Sequence, residues 1–331
     1  MAGSAMVQKQ GNSGSELMNK PLISVVICTY NNADSLAVTL AELSSSLVED
    51  TDLVELVIVD NNSSDSTARV IEEFSVSSPY RVLHCFQPEQ GLSAARNMAL
   101  STATGDYILF TDDDAEIQGD WLSEYISAIS NDSPDALFSR IYVIWDKPKP
   151  WWYLERYGAF FVQLDYGDTA FWIDSRRYEF FGKNFCCKRS ILTEYGGFSD
   201  QLGRKGESLL AGEETLIFYR LLEDRRKILY FPSAPVGHRL KDVEYTEEFF
   251  RRKYVEGAAS ALYLMNLTAR RRLLGRGLYP LSVSIRLTVR GLLGLASNPW
   301  RGDPAVKFFN KLQVQRNLRM LKLWMAGWGR P

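Results

Sequence analysis

Patterns of buried strands alternate with helical patterns along the N-terminal part of this chain, and this alternation limits the fold more than any other feature. The predicted strands cover residues 22–28, 54–59, 81–86 and 106–110, and the first two are nearly continuous apolar runs. Helical patterns lie between them, at 34–47, from 67 to about 74, and at 91–100. Continuous apolar runs are typical of strands covered on both faces, and their alternation with helices favours a parallel sheet. We therefore predict an α/β fold with a mostly parallel sheet flanked by helices.

Polar residues follow three of the predicted strands. These clusters occupy 29–32, 60–67 and 111–114. In parallel α/β sheets, ligands bind beyond the carboxyl ends of the strands. We therefore expect the three clusters to face one crevice, which is the predicted functional site.

The last cluster contains three consecutive aspartates, Asp112, Asp113 and Asp114. Burying three like charges without a cation costs several kcal/mol. Alternate residues of an extended segment face the same side, so Asp112 and Asp114 are expected to converge on one ion while Asp113 points elsewhere. Carboxylate oxygens suit Mg²⁺ or Mn²⁺. The alternative is an acidic loop that caps the helix near Trp121.

Charge is distributed unevenly along the chain and separates a body from a tail. Residues 266–331 hold 13 Lys and Arg side chains against one acid, Asp303. Residues 1–265 hold the remaining 25 basic and 39 acidic side chains. This asymmetry suggests that the tail meets an anionic surface. Four cysteines without metal or disulfide spacing, and no secretory pattern, favour a cytoplasmic protein, with peripheral association at the inner face of the membrane as an option.

Eight different short motifs are spread over residues 21–260. They are VVICTYN at 25–31, VDNNSSDST at 59–67, GLSAARN at 91–97, FTDDD at 110–114, GKNFCCKR at 182–189, YGGF at 195–198, GEET at 212–215 and GHR at 237–239. In this order and spacing the chain resembles the family 2 glycosyltransferases, which have the GT-A fold. The resemblance implies a metal-dependent enzyme that takes a nucleotide diphosphate sugar, with a UDP-sugar as the expected donor.

The resemblance implies contacts between single residues and the nucleotide. Thr29 and Asn31 would lie against the base and ribose. Asp60 would contact the base or ribose, and Arg96 the base or diphosphate, since a guanidinium matches phosphate in a bidentate way. The alternatives are helix capping for Asp60 and Asp65 and a solvated helix position for Arg96.

The resemblance also implies a metal site. Asp112 and Asp114 would be the Asp-x-Asp pair that holds Mg²⁺ or Mn²⁺ on the diphosphate. His238 would lie near the diphosphate or the metal, and Asp113 is placed with Asp112 among the residues on the nucleotide side. For His238 the alternative is a hydrogen-bonded structural histidine.

A pair of glutamates, Glu213 and Glu214, carries the expected catalytic base. Relatives usually have Gly-Glu-Asp where this chain has Gly-Glu-Glu, and the second acid commonly serves as the base. That role therefore falls to Glu214, with Glu213 as the reserve candidate. The alternative is that both acids only stabilise a helix N-terminus.

Two regions flank this expected catalytic domain at 21–265, and a third lies within it. Residues 1–20 are polar and predict a disordered leader. Residues 145–181 hold 13 of the chain's 41 aromatic side chains, which fits an insertion on the acceptor side or a packed subdomain. Residues 266–331 predict a helical basic region without a spanning helix, which either lies on an anionic membrane or packs on the body.

The expected reaction is transfer of a single sugar to an acceptor hydroxyl, with inversion, in glycan biosynthesis. The acceptor would be a glycan or a lipid-linked sugar, and no nucleic acid partner is expected. Two other classes stay open: a sugar-phosphate nucleotidyltransferase, and a non-catalytic carbohydrate-binding protein on the same fold.

Overall fold

A computed structural model of the chain describes residues 20–206, 210–267, 272–273, 276–296 and 303–328. The leader predicted at 1–20 lies outside these residues except for Lys20. The strands are β1 (Ile23–Thr29), β2 (Val54–Asp60), β3 (Arg81–Phe86), β4 (Tyr107–Asp112), β5 (Ala115–Ile117), β6 (Ala136–Phe138), β7 (Ile141–Ile144), β8 (Phe171–Trp172), β9 (Asn184–Lys188), β10 (Ile228–Tyr230), β11 (Val236–Arg239), β12 (Arg272–Leu273) and β13 (Arg276–Gly277). The α-helices are α1 (Ala33–Ser45), α2 (Thr67–Ser77), α3 (Leu92–Thr102), α4 (Trp121–Asp132), α5 (Arg189–Glu194), α6 (Glu213–Glu223), α7 (Glu247–Leu267), α8 (Leu278–Ala296) and α9 (Pro304–Met325).

The central sheet has the strand order β3-β2-β1-β4-β9-β6-β10-β8. Strands β3, β2, β1 and β4 are parallel neighbours, whereas β9 runs antiparallel to both β4 and β6. Strands β1, β2 and β4 are buried almost throughout, as continuous apolar runs require when helices cover both faces. The predicted fold class, a mostly parallel sheet flanked by helices with a helical basic C-terminal region, is confirmed.

A small second sheet has the strand order β5-β11-β7. Its strand β5 directly follows the three aspartates in sequence. Residues 136–144, which are largely apolar, form two strands rather than one. β6 belongs to the central sheet and β7 to the small sheet. The chain changes sheet at Arg140, where the side-chain amide of Asn184 donates to the carbonyls of Arg140 and Ala234. Apolar periodicity cannot reveal this exchange, since both strands are apolar and nearly contiguous.

A second hydrophobic core joins the aromatic segment to the C-terminal helices. Trp152 stacks on Phe250 of α7 with ring centroids 4.7 Å apart and also contacts Phe308 of α9. Further along, Met320 and Trp324 of α9 pack against α7. The first part of the aromatic segment therefore packs α7 and α9 onto the body. Trp151 and Trp172 remain exposed.

Helix α8 crosses α9 at a point of close backbone approach. A methyl group at Gly291 would lie 2.8 Å from a side-chain carbon of Val314 and 3.3 Å from the carbonyl oxygen of Asn310, so only glycine fits this crossing without a shift. One side of α8 is thus fixed against α9. Among the described residues, no helix is both long enough and apolar enough to cross a bilayer.

Candidate active site

Each of three adjacent strands of the central sheet has a polar residue at its carboxyl end, as the sequence predicted. In the register of β1 and β2, Thr29 pairs with Asp60. In the register of β1 and β4, Cys28 pairs with Asp112. The carboxyl ends of β2, β1 and β4 therefore form one row along the edge of the sheet where parallel α/β folds bind ligands.

The three consecutive aspartates separate into a pair and a single residue. Asp112 ends β4, and Asp113 and Asp114 form the turn before β5. The Lys183 ammonium lies 3.1 Å from an oxygen of Asp112 and also donates to Asp114. Asp113 instead accepts a hydrogen bond of 2.7 Å from the Thr29 hydroxyl. Asp112 and Asp114 thus converge on the ammonium of Lys183, through a turn rather than an extended segment, and their convergence on a metal ion stays a prediction.

This grouping sets the ionisation of the buried carboxyls. Burial alone would raise the pKa of Asp114, but the Lys183 charge and the contact with His238 hold that pKa well below its usual value. Burial and the neighbouring charge of Asp114 raise the pKa of Asp113 to about 6. Burial opposes the charge on Lys183, yet the two aspartates raise its pKa above the usual value. The ammonium is therefore a fixed positive charge in the site.

His238 lies on β11 beside the aspartate turn, because β11 pairs with β5 and places His238 opposite Ala115. Its Nδ1 is 2.7 Å from the carbonyl oxygen of Phe161. A carbonyl only accepts, so this contact requires a proton on Nδ1. Nε2 then faces Asp114, 3.7 Å from its carboxylate oxygen. Nε2 is therefore the ring nitrogen of His238 that a metal ion at the aspartate turn would meet.

The donor set fits a divalent ion that takes two carboxylates and completes its shell elsewhere. Asp112 and Asp114 already converge on the ammonium of Lys183. Mg²⁺ is usually held by one or two carboxylates together with substrate phosphates and water. Within the described part of the chain, no three His, Cys, Asp or Glu side chains are arranged to hold a metal ion. The assignment of His238 as a third ligand therefore stays a prediction.

On the nucleotide side, Asn31 and Asp60 brace the loop that follows β2. The Asn31 carboxamide oxygen accepts from the backbone N–H of Ser64 at 2.7 Å, and Asn31 adopts a left-handed backbone with φ of 47°. Asp60 accepts from the backbone N–H of Ser63 at 2.8 Å. Asp65 accepts from Ala33 and Thr67, which start α1 and α2. The capping alternative thus describes Asp65, while the nucleotide contacts of Thr29, Asn31 and Asp60 stay predictions.

Arg96 is a buried partner of the two glutamates, which corrects the alternative of a solvated helix position. Its guanidinium donates to Glu213 at 2.6 Å and lies 3.9 Å from an oxygen of Glu214. A methyl group at Gly182 would overlap this guanidinium, so the glycine permits the approach. Since Lys183 follows Gly182 directly, one short segment contacts both charged pairs. The predicted contact of Arg96 with the donor stays a prediction.

Glu214 stands in the first turn of α6 and differs in environment from Glu213. Burial and the charge of Glu213 raise the pKa of Glu214 to about 8, although Arg96 acts in the opposite sense. One oxygen of Glu214 is buried without a hydrogen-bond partner. A third carboxyl, Glu179, accepts from the hydroxyl of Thr215 in the same helix, and burial raises its pKa. The sequence did not indicate Glu179, because it lies in the aromatic segment outside the motifs.

Known proteins with similar sequences identify the family. The sequence model described as glycosyl transferase family 2 matches residues 24–199. A relative in Haloferax volcanii, glucosyl-dolichyl phosphate glucuronosyltransferase, is 30% identical over 232 residues, which are 69% of this chain and 71% of the relative. The chain belongs to glycosyl transferase family 2. It is therefore a glycosyltransferase of glycan biosynthesis, and the resemblance drawn from the motifs is confirmed.

Solved structures share the fold of this family 2 glycosyltransferase. The mannosyltransferase PcManGT from Pyrobaculum calidifontis, in complex with GDP-Man and Mn²⁺, has a TM-score of 0.64 at 16% identity and covers 93% of this chain and 88% of its own. The S. aureus protein TarS, residues 1–349, in complex with UDP-GlcNAc, has a TM-score of 0.55 at 18% identity and covers 92% of each chain. These structures confirm the predicted GT-A architecture, and membership of the family supports a nucleotide-sugar donor.

Lys253 of the glycosyltransferase differs from its two basic neighbours on α7. Arg251 and Arg252 are exposed. Lys253 instead turns inward, 3.7 Å from a carboxylate oxygen of Glu244. Burial and the nearby charge of Arg204 lower the pKa of Lys253 to about 8. The charge of Asp114 acts on the pKa of Lys253 in the opposite sense, so this amine lies on the side of the aspartate turn.

The raised pKa of Glu214 predicts a pH-dependent cost to stability. The pKa of Glu214 is about 8 in the folded chain against 4.5 ordinarily. The contribution of this side chain to folding stability is therefore fully present below about pH 4.5 and is lost as the pH rises towards 8. Glu214→Gln removes the charge. We expect it to raise the free energy of unfolding on the order of 2 kcal/mol at about pH 8 and to have little effect near pH 5. Thermal unfolding at both pH values measures the difference, and a gain that is equal at the two values would contradict the assignment.

Proposed function

We propose that this glycosyltransferase moves one sugar from a nucleotide diphosphate sugar to an acceptor hydroxyl with inversion, and that Glu214 is the base. The observation that carries the proposal is the contact of one segment with both charged pairs. Gly182 lies against Arg96, which holds Glu213, and Lys183 holds Asp112 and Asp114. The leaving-group end and the proton-accepting end of a displacement reaction are thus supported by one short piece of chain.

The proposed step is a single displacement at the anomeric carbon. The acceptor oxygen bonds to that carbon, its proton moves to the Glu214 carboxylate, and the bond from the carbon to the diphosphate oxygen breaks. A carboxylate whose pKa lies near neutrality is well matched to this transfer. Arg96 keeps Glu213 in place, and the charge of Glu213 in turn holds up the pKa of Glu214.

The leaving diphosphate would be met at Asp112 and Asp114, with Nε2 of His238 beside them. A bound Mg²⁺ or Mn²⁺ supplies Lewis-acid stabilisation of the charge that grows on the leaving oxygen. The chain's own contribution is to hold the two carboxylates close together, while Asp113 ties the turn to Thr29. Lys253 is available to the phosphate groups from α7.

The donor is proposed to be a UDP-sugar. The structural neighbours are complexes with both kinds of nucleotide, GDP-Man in PcManGT and UDP-GlcNAc in TarS, so both must be tested. A thermal-shift screen of UDP- and GDP-sugars with and without Mn²⁺ measures this, because ligands that bind the native state raise its stability. Anomeric NMR of the product tests inversion, and a product with retained configuration would refute the proposed single displacement.

The two alternative functions are tested with the same purified protein. A nucleotidyltransferase would release pyrophosphate from a nucleoside triphosphate and a sugar 1-phosphate. A non-catalytic carbohydrate-binding protein would neither transfer sugar from the donor nor hydrolyse it. Membership in glycosyl transferase family 2 favours neither.

The acceptor is proposed to be lipid-linked and reached at an anionic membrane surface. The Haloferax volcanii relative is named for glucosyl-dolichyl phosphate, a lipid-linked sugar. In this chain, α8 has apolar side chains at helical spacing that are half or more exposed, namely Ile285, Val289, Leu292 and Leu293. Exposed Arg286 and Arg290 flank them. An apolar stripe edged by arginines is the pattern of helices that lie in a membrane interface.

Four further arginines belong to the basic C-terminal region, but the structure does not describe their side chains. Arg270 and Arg271 are not among the described residues, and the side chains of Arg272 and Arg276 are not described either. The packing alternative for the C-terminal region applies to α9, which packs on α7. The membrane proposal therefore rests on α8.

Replacing Leu293 on α8 with aspartate is expected to lower binding to phosphatidylglycerol vesicles about tenfold or more, because burying one leucine in an apolar phase contributes about 1.5–3 kcal/mol. Binding of the unaltered chain should also fall as salt rises. Flotation of the full chain with vesicles measures both effects. Val76→Asp is the matched control, since Val76 is 91% exposed on α2. Equal losses from the two substitutions, or no flotation of the unaltered chain at low salt, would refute the membrane role of α8.

A further inference from the structure

Lys183 is a buried ammonium shared by two carboxylates. Its side chain is 1% exposed, and it immediately precedes β9. The ammonium lies 3.1 Å from Asp112 and also contacts Asp114. It therefore occupies the point on which the two carboxylates converge, which is the point where a divalent ion held by both would lie.

Charge balance makes this arrangement consequential. The carboxylates of Asp112 and Asp114 and the ammonium of Lys183 together carry a single negative charge, and Lys183 and Asp114 are largely shielded from water. A divalent ion that enters alone would place three positive charges against two negative ones, and repulsion between cations is strong where the effective dielectric constant is low. A nucleoside diphosphate brings further negative charge on its phosphate oxygens. Metal and nucleotide together can therefore be accommodated where metal alone is opposed.

We propose that Lys183 holds the cation position between Asp112 and Asp114 in the free protein and makes divalent-metal binding conditional on the nucleotide. The inference rests on the proposed function only in taking these two aspartates as the metal carboxylates. Through Lys183 the binding of the divalent metal and the binding of the nucleotide become thermodynamically coupled. Each of these two ligands then raises the affinity of the other by the same factor.

The test is a titration of the full chain with Mn²⁺, in which the EPR signal of free Mn²⁺ is measured without nucleotide, with UDP and with GDP. The unaltered chain should bind Mn²⁺ about tenfold or more tightly when its preferred nucleotide is present. Lys183→Met should bind Mn²⁺ alone about tenfold more tightly than the unaltered chain and lose most of the enhancement by nucleotide. Lys188→Met is the matched control, because Lys188 lies on β9 and pairs with Asp135 at 2.8 Å. It should behave as the unaltered chain does.

Equal Mn²⁺ affinity of the unaltered chain and Lys183→Met without nucleotide, with equal enhancement in both, would overturn this inference and leave the proposed function intact. Mn²⁺ binding to none of the variants, with or without UDP or GDP, would overturn the metal site itself and the inference with it. If Lys183→Met does not fold, Lys183→Gln replaces it. Thermal unfolding is the second measurement: Mn²⁺ alone should raise the unfolding temperature of the Lys183 variant more than that of the unaltered chain, and an equal rise would count against the inference.

Discussion

Glutamine in place of Glu214 is expected to lower kcat by about two to four orders of magnitude, the range usual for loss of a general base. Donor affinity should change by less than about threefold, because glutamine keeps the size of the side chain and Arg96 still holds Glu213. Steady-state kinetics with the donor found in the screen, together with the dissociation constant of that donor, separate the two effects. The variant should also unfold at a higher temperature near pH 8, so a loss of activity cannot be ascribed to unfolding.

Glu213→Gln is the informative comparison. Glu213 forms a buried ion pair with Arg96, and removing one member of such a pair leaves an uncompensated buried charge. We expect this variant to lose stability and to lower the pKa of Glu214, so that the pH–rate profile shifts to lower pH. Native turnover in Glu214→Gln, together with loss of turnover in a folded Glu213→Gln, would transfer the role of base to Glu213.

The parallel part of the central sheet was predictable because β1, β2 and β4 are largely apolar and buried and helical patterns lie between the strands. Residues 22–28 and 54–59 were expected as strands and appear as β1 (Ile23–Thr29) and β2 (Val54–Asp60). Each strand ends one residue beyond its apolar run, since a polar residue at the carboxyl end can still complete the hydrogen-bonding ladder. The same rule placed the polar clusters at one edge, because parallel strands share their direction.

The partners of the charged residues were not predictable from local patterns. Lys183 reaches Asp112 and Asp114 only because β9 lies antiparallel beside β4, a pairing between segments about 70 residues apart in sequence. The Arg96–Glu213 pair joins α3 to α6 in the same way. A lysine or an arginine in a polar motif usually indicates a solvated side chain or a ligand contact. Only the tertiary structure reveals that these two cations already have buried carboxylate partners.

Asparagine in place of Asp114 is expected to weaken Mn²⁺-dependent nucleotide binding about tenfold or more, whereas Asp113→Asn should change it by less than about threefold. Asp114 directs its carboxylate towards Lys183 and His238, where the metal is proposed to bind. Asp113 accepts a hydrogen bond from Thr29 instead, and an asparagine oxygen at that position can accept it equally well. Calorimetric titration of UDP and GDP at several Mn²⁺ concentrations measures the difference, with thermal unfolding as the control for folding. Because the two aspartates are adjacent and carry the same charge, a purely long-range electrostatic effect would weaken binding equally in both variants. That result would refute a metal site built on Asp112 and Asp114.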